Sequence, residues 1–262
     1  MDELLTRVTE NQIAGFMLVL GRIGPLFMLA PLFSSRMLPG RVRGLAAVAL
    51  TLGIAPLVTR GQTVPLDVGG FGELMLKEIL IGLAFAFAIG ALFAAVTVAG
   101  GFIDTLMGFS FGSLVDPTSG TQSTIIAQAY TLIGVLVFIT IGGDAWAIQG
   151  LARTYDLVPL LELPSLGAMV AGAEHAFVQI FRAALELSAP VVLALVITDA
   201  AFGIVARVVP QLNVFAVGFP AKLVVGLVIV GVSLPFAAGW IADELQRSVG
   251  TALQSLHVAA VH

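Results

Sequence analysis

The sequence predicts an all-α integral membrane protein with about six apolar helical segments, several kinked or turned into helical hairpins. Three observations predict it. Of 262 residues, 58% are hydrophobic and only 11% charged, whereas soluble domains carry about 25% charged residues; the mean hydropathy is +1.05. Apolar runs reach the roughly 20 residues that a helix needs to cross the hydrocarbon layer. These runs are too long and too continuously apolar for the alternating strands of a barrel, and lipid tolerates no open strand edge.

Each segment follows from its own composition. Asn11–Phe33 is apolar but interrupted by Arg22, and it carries Gly24-Pro25 and Ala30-Pro31. Leu45–Val58 is short and holds Gly53 and Pro56, so it need not cross a membrane by itself. Ile79–Ile103 is the clearest span and contains no charge. Ile125–Ile141 follows, then Ala176–Val205 with Arg182, Glu186 and Asp199, then Val214–Ile241 with Lys222. Proline removes a helical hydrogen bond, and small residues let helices approach closely, so kinked and tightly packed helices are expected.

The connections differ in character. Ser34–Gly44 holds Arg36, Arg41 and Arg43; Asp104–Thr124 is rich in Gly, Ser, Thr and Phe; Gly142–Glu174 holds Trp146, Tyr155, Pro159 and Pro164 and reads as an ordered surface excursion with amphipathic pieces. The basic first loop should be cytoplasmic under the positive-inside rule. The full count disagrees. With six spans, one side holds Arg36, Arg41, Arg43 and Arg207, and the other holds Arg7, Arg60, Lys77, Arg153 and Arg247. This balance suggests that not every apolar segment lies across a bilayer. The acidic start, Met1-Asp2-Glu3, lacks the basic region of a cleaved signal, so the first segment is expected to stay in the mature chain. No internal repeat or domain linker is visible, and residues 1–262 read as a single domain.

Composition narrows the chemistry. A net charge of -4, spread thinly, offers no basic face for nucleic acid, and the absence of cysteine removes disulfides and thiolate metal sites. The histidines His175, His257 and His262 support no triad or metal set, and no phosphate-binding Gly-rich loop exists. Gly142-Gly143-Asp144 resembles the motif of intramembrane aspartyl proteases, with Asp199 as a conceivable second acid, but three common residues carry little. The sequence gives no reason to expect an enzyme or a cofactor.

The polar residues inside apolar runs carry more. A charge in hydrocarbon costs roughly 2.5–3.5 kcal/mol on insertion scales, so such groups persist where something pairs with them or where they face protein or water. Residues 196–222 alone hold Asp199, Arg207, Gln211, Asn213 and Lys222. A hairpin turning at Pro210–Asn213 would return Lys222 toward Arg207 and Asp199, giving a packing network or, less readily with one acid, a proton relay. Arg182 and Glu186, four apart, share a helix face and are read as a buried pair, within the helix or with a neighbour. Arg22 needs an acid, with Glu78 and Asp104 as candidates that spacing cannot separate.

Glycines flank Met107, Phe109 and Phe111 in the stretch from Gly100 to Pro117. Bulky, deformable side chains on freed backbone would make a plug that yields to a passing chain. The plainer reading is an ordinary turn between helices.

Taken together, the ordered motifs resemble the FliR family, a membrane component of the flagellar type III export apparatus with relatives in virulence injectisomes. The resemblance runs nearly end to end. It rests on Arg22–Phe27, Ala30–Ser34, Leu38–Arg43, Lys77–Gly82, Gly101–Asp104 and Asp116-Pro117, and most specifically on Asp199–Gly203, Arg207, Pro210–Phe215 and Gly218–Lys222. It implies a structural and gating subunit of a hetero-oligomeric export pore for unfolded flagellar proteins. The implied partners are FliP-like and FliQ-like pore subunits and an FlhB-like switch subunit, at the bacterial inner membrane and the flagellar basal body. It also implies the plug role for Met107, Phe109, Phe111, Asp116 and Pro117, and an assembly role for the buried polar groups. The rival reading is an ion-coupled small-molecule transporter using Asp199 and Lys222, against which stands the lack of an inverted repeat.

Overall fold

The computed structural model describes residues 2–30, 39–109, 124–162, 166–209 and 214–260. Among these, the chain forms seven helices and no strand: α1 (Asp2–Leu29), α2 (Gly40–Val58), α3 (Val68–Met107), α4 (Ile125–Thr140), α5 (Gly143–Leu157), α6 (Leu166–Val208) and α7 (Val214–Ala260). Five helices are long and apolar enough to cross a membrane, or six if the bent pair α4 and α5 is taken as one broken span.

The helices exceed the apolar runs that mark them. α3 runs for 40 residues and takes in Lys77, Glu78 and Asp104, which flank the charge-free stretch. α2 begins at Gly40, ahead of the apolar run, because Arg41 and Arg43 can be helical without being apolar. At 19 residues it is long enough to span alone, with Pro56 accommodated close to its C-terminal end. Pro25, Pro190, Pro220 and Pro235 likewise lie within continuous helices.

The region after Ile141 differs from a surface excursion. Gly142 adopts a left-handed backbone, φ +71°, which ends α4 and starts α5 as a separate helix. Glycine takes that conformation without a Cβ clash. α5 is amphipathic and buries Ala147, Leu151, Thr154 and Tyr155, so it is a core element of its unit.

The chain divides into two compact units. The first comprises residues 1–91, 142–177 and 245–262; the second comprises 92–141 and 178–244. In the first, α1 buries Leu18, Val19, Ile23 and Leu26, while α3 buries Ile81, Phe85, Ala86 and Ile89. These repeat at three- and four-residue intervals, the period of a helix face. α1 and α3 meet backbone to backbone at Gly82, where a Cβ would overlap the carbonyl of Arg22.

The second unit has its own core: Val96, Ile103 and Met107 of α3, Tyr130 of α4, Leu187 and Leu195 of α6, and Ile241 of α7. Here Gly100 does for α3 and α4 what Gly82 does in the first unit, since a Cβ would strike the backbone of Ala127. Phe93 and Phe138 pack edge to face with centroids 5.5 Å apart. Outside these cores, α6 and α7 leave many large side chains uncovered, among them Phe181, Leu185, Leu193, Val224 and Phe236.

Candidate functional site

In the first unit, α1, α3 and α5 converge on a cluster of buried charge. Arg22 is fully buried and meets Glu78, also fully buried, with two prongs: Nε donates to Oε2, and a terminal nitrogen donates to Oε1 at 2.8 Å. The guanidinium donates further to Thr154 Oγ1 at 3.2 Å and to the Val158 carbonyl at 3.0 Å. It lies 4.0 Å from the centre of the Tyr155 ring. Lys77 joins from the same turn of α3 as Glu78, with Nζ 2.7 Å from Glu78 Oε1. It donates to the carbonyls of Pro159 and Leu160 at 2.9 and 2.6 Å.

The arrangement follows from charge balance. Two cations face one carboxylate, and the excess positive charge meets the carbonyls where α5 ends. A helix C-terminus carries partial negative charge and unpaired carbonyls, so it suits cations. Burial without such partners would cost several kcal/mol per ion. The cluster therefore ties the end of α5 to α1 and α3. Sequence reading left Arg22 between two acids and gave Lys77, Thr154 and Tyr155 no role. The available signal was Lys77-Glu78 directly beside a charge-free run.

Asp104, the other candidate for Arg22, serves another element. Its two carboxylate oxygens accept from the backbone N–H groups of Ile126 and Ala127, each at 3.0 Å, at the start of α4. Thr124, at the N-cap position, makes no side-chain cap of its own. A carboxylate from α3 thus satisfies donors that open the helix, and it also complements the helix dipole.

The second unit holds the other polar groups of the sequence reading. Lys222 Nζ donates to Asp199 Oδ2 at 2.6 Å, joining α6 and α7. The lysine side chain is 17% exposed and the aspartate 50%. Arg207 is exposed and is not part of this pair. Gln211 and Asn213 lie outside the described residues. Arg182 and Glu186 pair at 2.9 Å along α6, but their side chains are 69% and 47% exposed, so within this chain the pair is not buried. The reason is local: α6 turns Ala183, Ala184 and Leu187 into the core, and the pair falls on the other face together with Phe181 and Leu185.

The plug reading changes at one residue. Met107 is fully buried in the core of the second unit, its thioether against Gly226, and so is a packing side chain rather than a loop side chain. α3 continues that far because Ile103 and Met107 share its buried face. The helix then stops at Gly108, φ +88°, with Phe109 half-buried against the same core and its N–H donating to the Asp104 carbonyl at 3.0 Å. Phe111, Asp116 and Pro117 lie outside the described residues.

Of the two acids weighed for a protease, Asp144 is exposed in the first turn of α5, and the Asp199 carboxylate is engaged by Lys222. Among the described residues, no group of three His, Asp or Glu side chains could hold a metal ion.

Comparison with known proteins agrees with this architecture. The family described as bacterial export proteins, family 1, matches residues 13–248. A flagellar biosynthetic protein FliR from Pectobacterium carotovorum subsp. carotovorum is 32% identical over 225 residues, covering 86% of each chain. The protein of the same name from Escherichia coli strain K12 is 33% identical over 219 residues, 83% of each chain. A surface presentation of antigens protein SpaR from Shigella sonnei is 27% identical over 214 residues, 80% of each. None of these names denotes a catalyst. A multi-pass, all-helical membrane protein matched over nearly its whole length in this way belongs to the bacterial export proteins, family 1.

Proposed function

We propose that the chain is a structural and gating subunit of a flagellar type III export gate, and that it helps to form the pore through which unfolded flagellar proteins pass. Its relatives include proteins named for flagellar biosynthesis, two of them 32% and 33% identical to it, against 27% for a protein named for surface presentation of antigens. In this reading residues 1–262 act as one export-gate domain, without catalysis. The partners are FliP-like and FliQ-like pore subunits and an FlhB-like switch subunit, in the bacterial inner membrane at the flagellar basal body. The segment bearing Phe109, Phe111, Asp116 and Pro117 closes the lumen, while Met107 anchors it to the core.

One observation carries the assembly part of the reading. The Arg182–Glu186 pair and the half-exposed Asp199 stand among large uncovered apolar side chains such as Phe181, Leu185, Leu193, Val196 and Ile197. Only 11% of the most apolar stretch of α6 is buried within the chain. Lipid would penalise the ions and water would penalise the apolar surface. A partner polypeptide offering both polar and apolar contacts satisfies both. Arg207, Gln211 and Asn213 belong to the same assembly surface in this reading.

The test is co-expression with the candidate sister subunits followed by purification in mild detergent. One large, stable complex containing this chain is expected, with the ion pair becoming protected from solvent. A chain that is monodisperse, folded and fully competent without companions would remove the reading.

A further inference from the structure

We propose that a groove between the start of α1 and the end of α2 binds one membrane phospholipid with a zwitterionic, ammonium-bearing headgroup. The groove lies wholly within the first unit and measures about 1140 Å³. That exceeds the roughly 300–1,000 Å³ of small-molecule pockets. The two helices are antiparallel here, with the Thr59 side chain set over Gly15. The groove therefore opens where the candidate spans Glu10–Leu29 and Gly40–Val58 reach the same side.

The site is built. Asn11 of α1 donates from Nδ2 to the Gln62 carbonyl at 3.1 Å, and its Oδ1 accepts from the Val64 N–H at 2.7 Å. This two-point clamp holds the segment after α2 across the end of the groove. The walls are apolar and uncovered: Ile13, Leu52 and Leu66 line the groove and are 56%, 62% and 51% exposed, with Phe16 and Pro56 beside them.

Charge decides the occupant. Glu10 and Arg60 both line the groove, both are exposed, and among the described side chains neither forms an ion pair. Separate charges of opposite sign above apolar walls complement a molecule that carries acyl chains, a phosphate and an ammonium. A guanidinium grips phosphate oxygens with two parallel hydrogen bonds, and a carboxylate accepts from a primary ammonium. A quaternary ammonium has no N–H to give Glu10. A protein segment could cover the same walls, but the divided charges favour the headgroup.

The experiment is native mass spectrometry of the full chain in mild detergent, supplied with equal amounts of phosphatidylethanolamine, phosphatidylcholine and phosphatidylglycerol. A predominant phosphatidylethanolamine adduct is expected. Arg60→Gln should lower it by about tenfold, the scale of one hydrogen bond to a charged group. Glu10→Gln should instead abolish the preference over phosphatidylcholine. Should either variant lose helicity by circular dichroism, Leu52→Trp, which pushes a bulky ring into the groove from its wall, should weaken the adduct. Equal occupancy by all three lipids, or adducts unmoved by these changes, overturns the proposal. So does a Thr63→Cys variant, which keeps Glu10 and Arg60, that a cysteine-reactive cross-linker joins to a sister subunit in the co-expressed complex with no lipid adduct present, since the occupant is then protein.

Discussion

Arg22 and Glu78, 56 residues apart in sequence, form a two-pronged ion pair in which neither side chain is exposed. Removing Glu78 leaves the buried Arg22 and Lys77 without a carboxylate, and removing Arg22 leaves Glu78 with Lys77 alone. Breaking a buried pair costs about 3–5 kcal/mol, whereas replacing both members with apolar residues of similar size is often nearly neutral. Arg22→Met and Glu78→Leu should therefore each destabilise strongly, while the double variant should be more stable than the sum of the two predicts. Thermal melts of the four proteins in one detergent measure the coupling. Simple additivity would show that the pair is not a unit.

Gly82 and Gly101 lie on the same helix but face different surroundings. A Cβ at Gly82 would overlap the Arg22 carbonyl, while a Cβ at Gly101 meets nothing within 4 Å. Gly82→Ala should force α1 and α3 apart and lower stability by about 1–3 kcal/mol, as overpacking does. Gly101→Ala should be neutral or stabilising by up to about 1 kcal/mol through helix propensity. Opposite shifts in melting temperature are expected, and equal shifts would contradict the close approach.

Asp104→Ala should fray the start of α4. The substitution removes both acceptors from the Ile126 and Ala127 N–H groups, and loss of a helix cap costs about 0.5–2 kcal/mol. Amide hydrogen exchange should accelerate at these two residues and remain unchanged in α5. Asp104→Asn retains one acceptor and should fall between the two.

Lys222→Ala should impair recovery of sister subunits more than Asp2→Ala does. The substitution releases a half-exposed Asp199 carboxylate on an apolar hairpin, and the unpaired charge must then be covered by a partner or left in lipid. Quantitative co-purification reads the difference. Equal recovery from both variants would remove the assembly role of the Asp199–Lys222 pair.

Deletion of Phe109–Gly112 should make cells that express the assembled gate leak small solutes. Glycine-for-phenylalanine exchange at Phe109 alone should leak less, because it removes one bulky side chain and leaves Phe111 and the length of the segment in place. Normal ion permeability in the deletion strain would remove the plug role.

The membrane class, the helical character and the order of the apolar segments were legible because they depend on local composition: runs of apolar residues in lipid have few options besides helix. The approach of Lys222 to Asp199 was legible in part: the two do pair, but Arg207, expected in the same network, is not part of the pair. Helix ends were less so, because Arg41, Lys77 and Asp104 are helical without being apolar. The turn at Gly142 was hidden, because a left-handed glycine is indistinguishable in sequence from a packing one.

By itself, the sequence determined that charges sit inside greasy segments and must be compensated. Only the tertiary structure decided by what. It gave Glu78 to Arg22, gave Asp104 to the N–H groups of α4, placed Met107 in a core, and left Arg182 and Glu186 on an outer face. The reason is physical. Helical periodicity fixes which residues share a face, but which faces meet depends on close approaches such as Gly82 to Arg22, and those are contacts between distant parts of the chain.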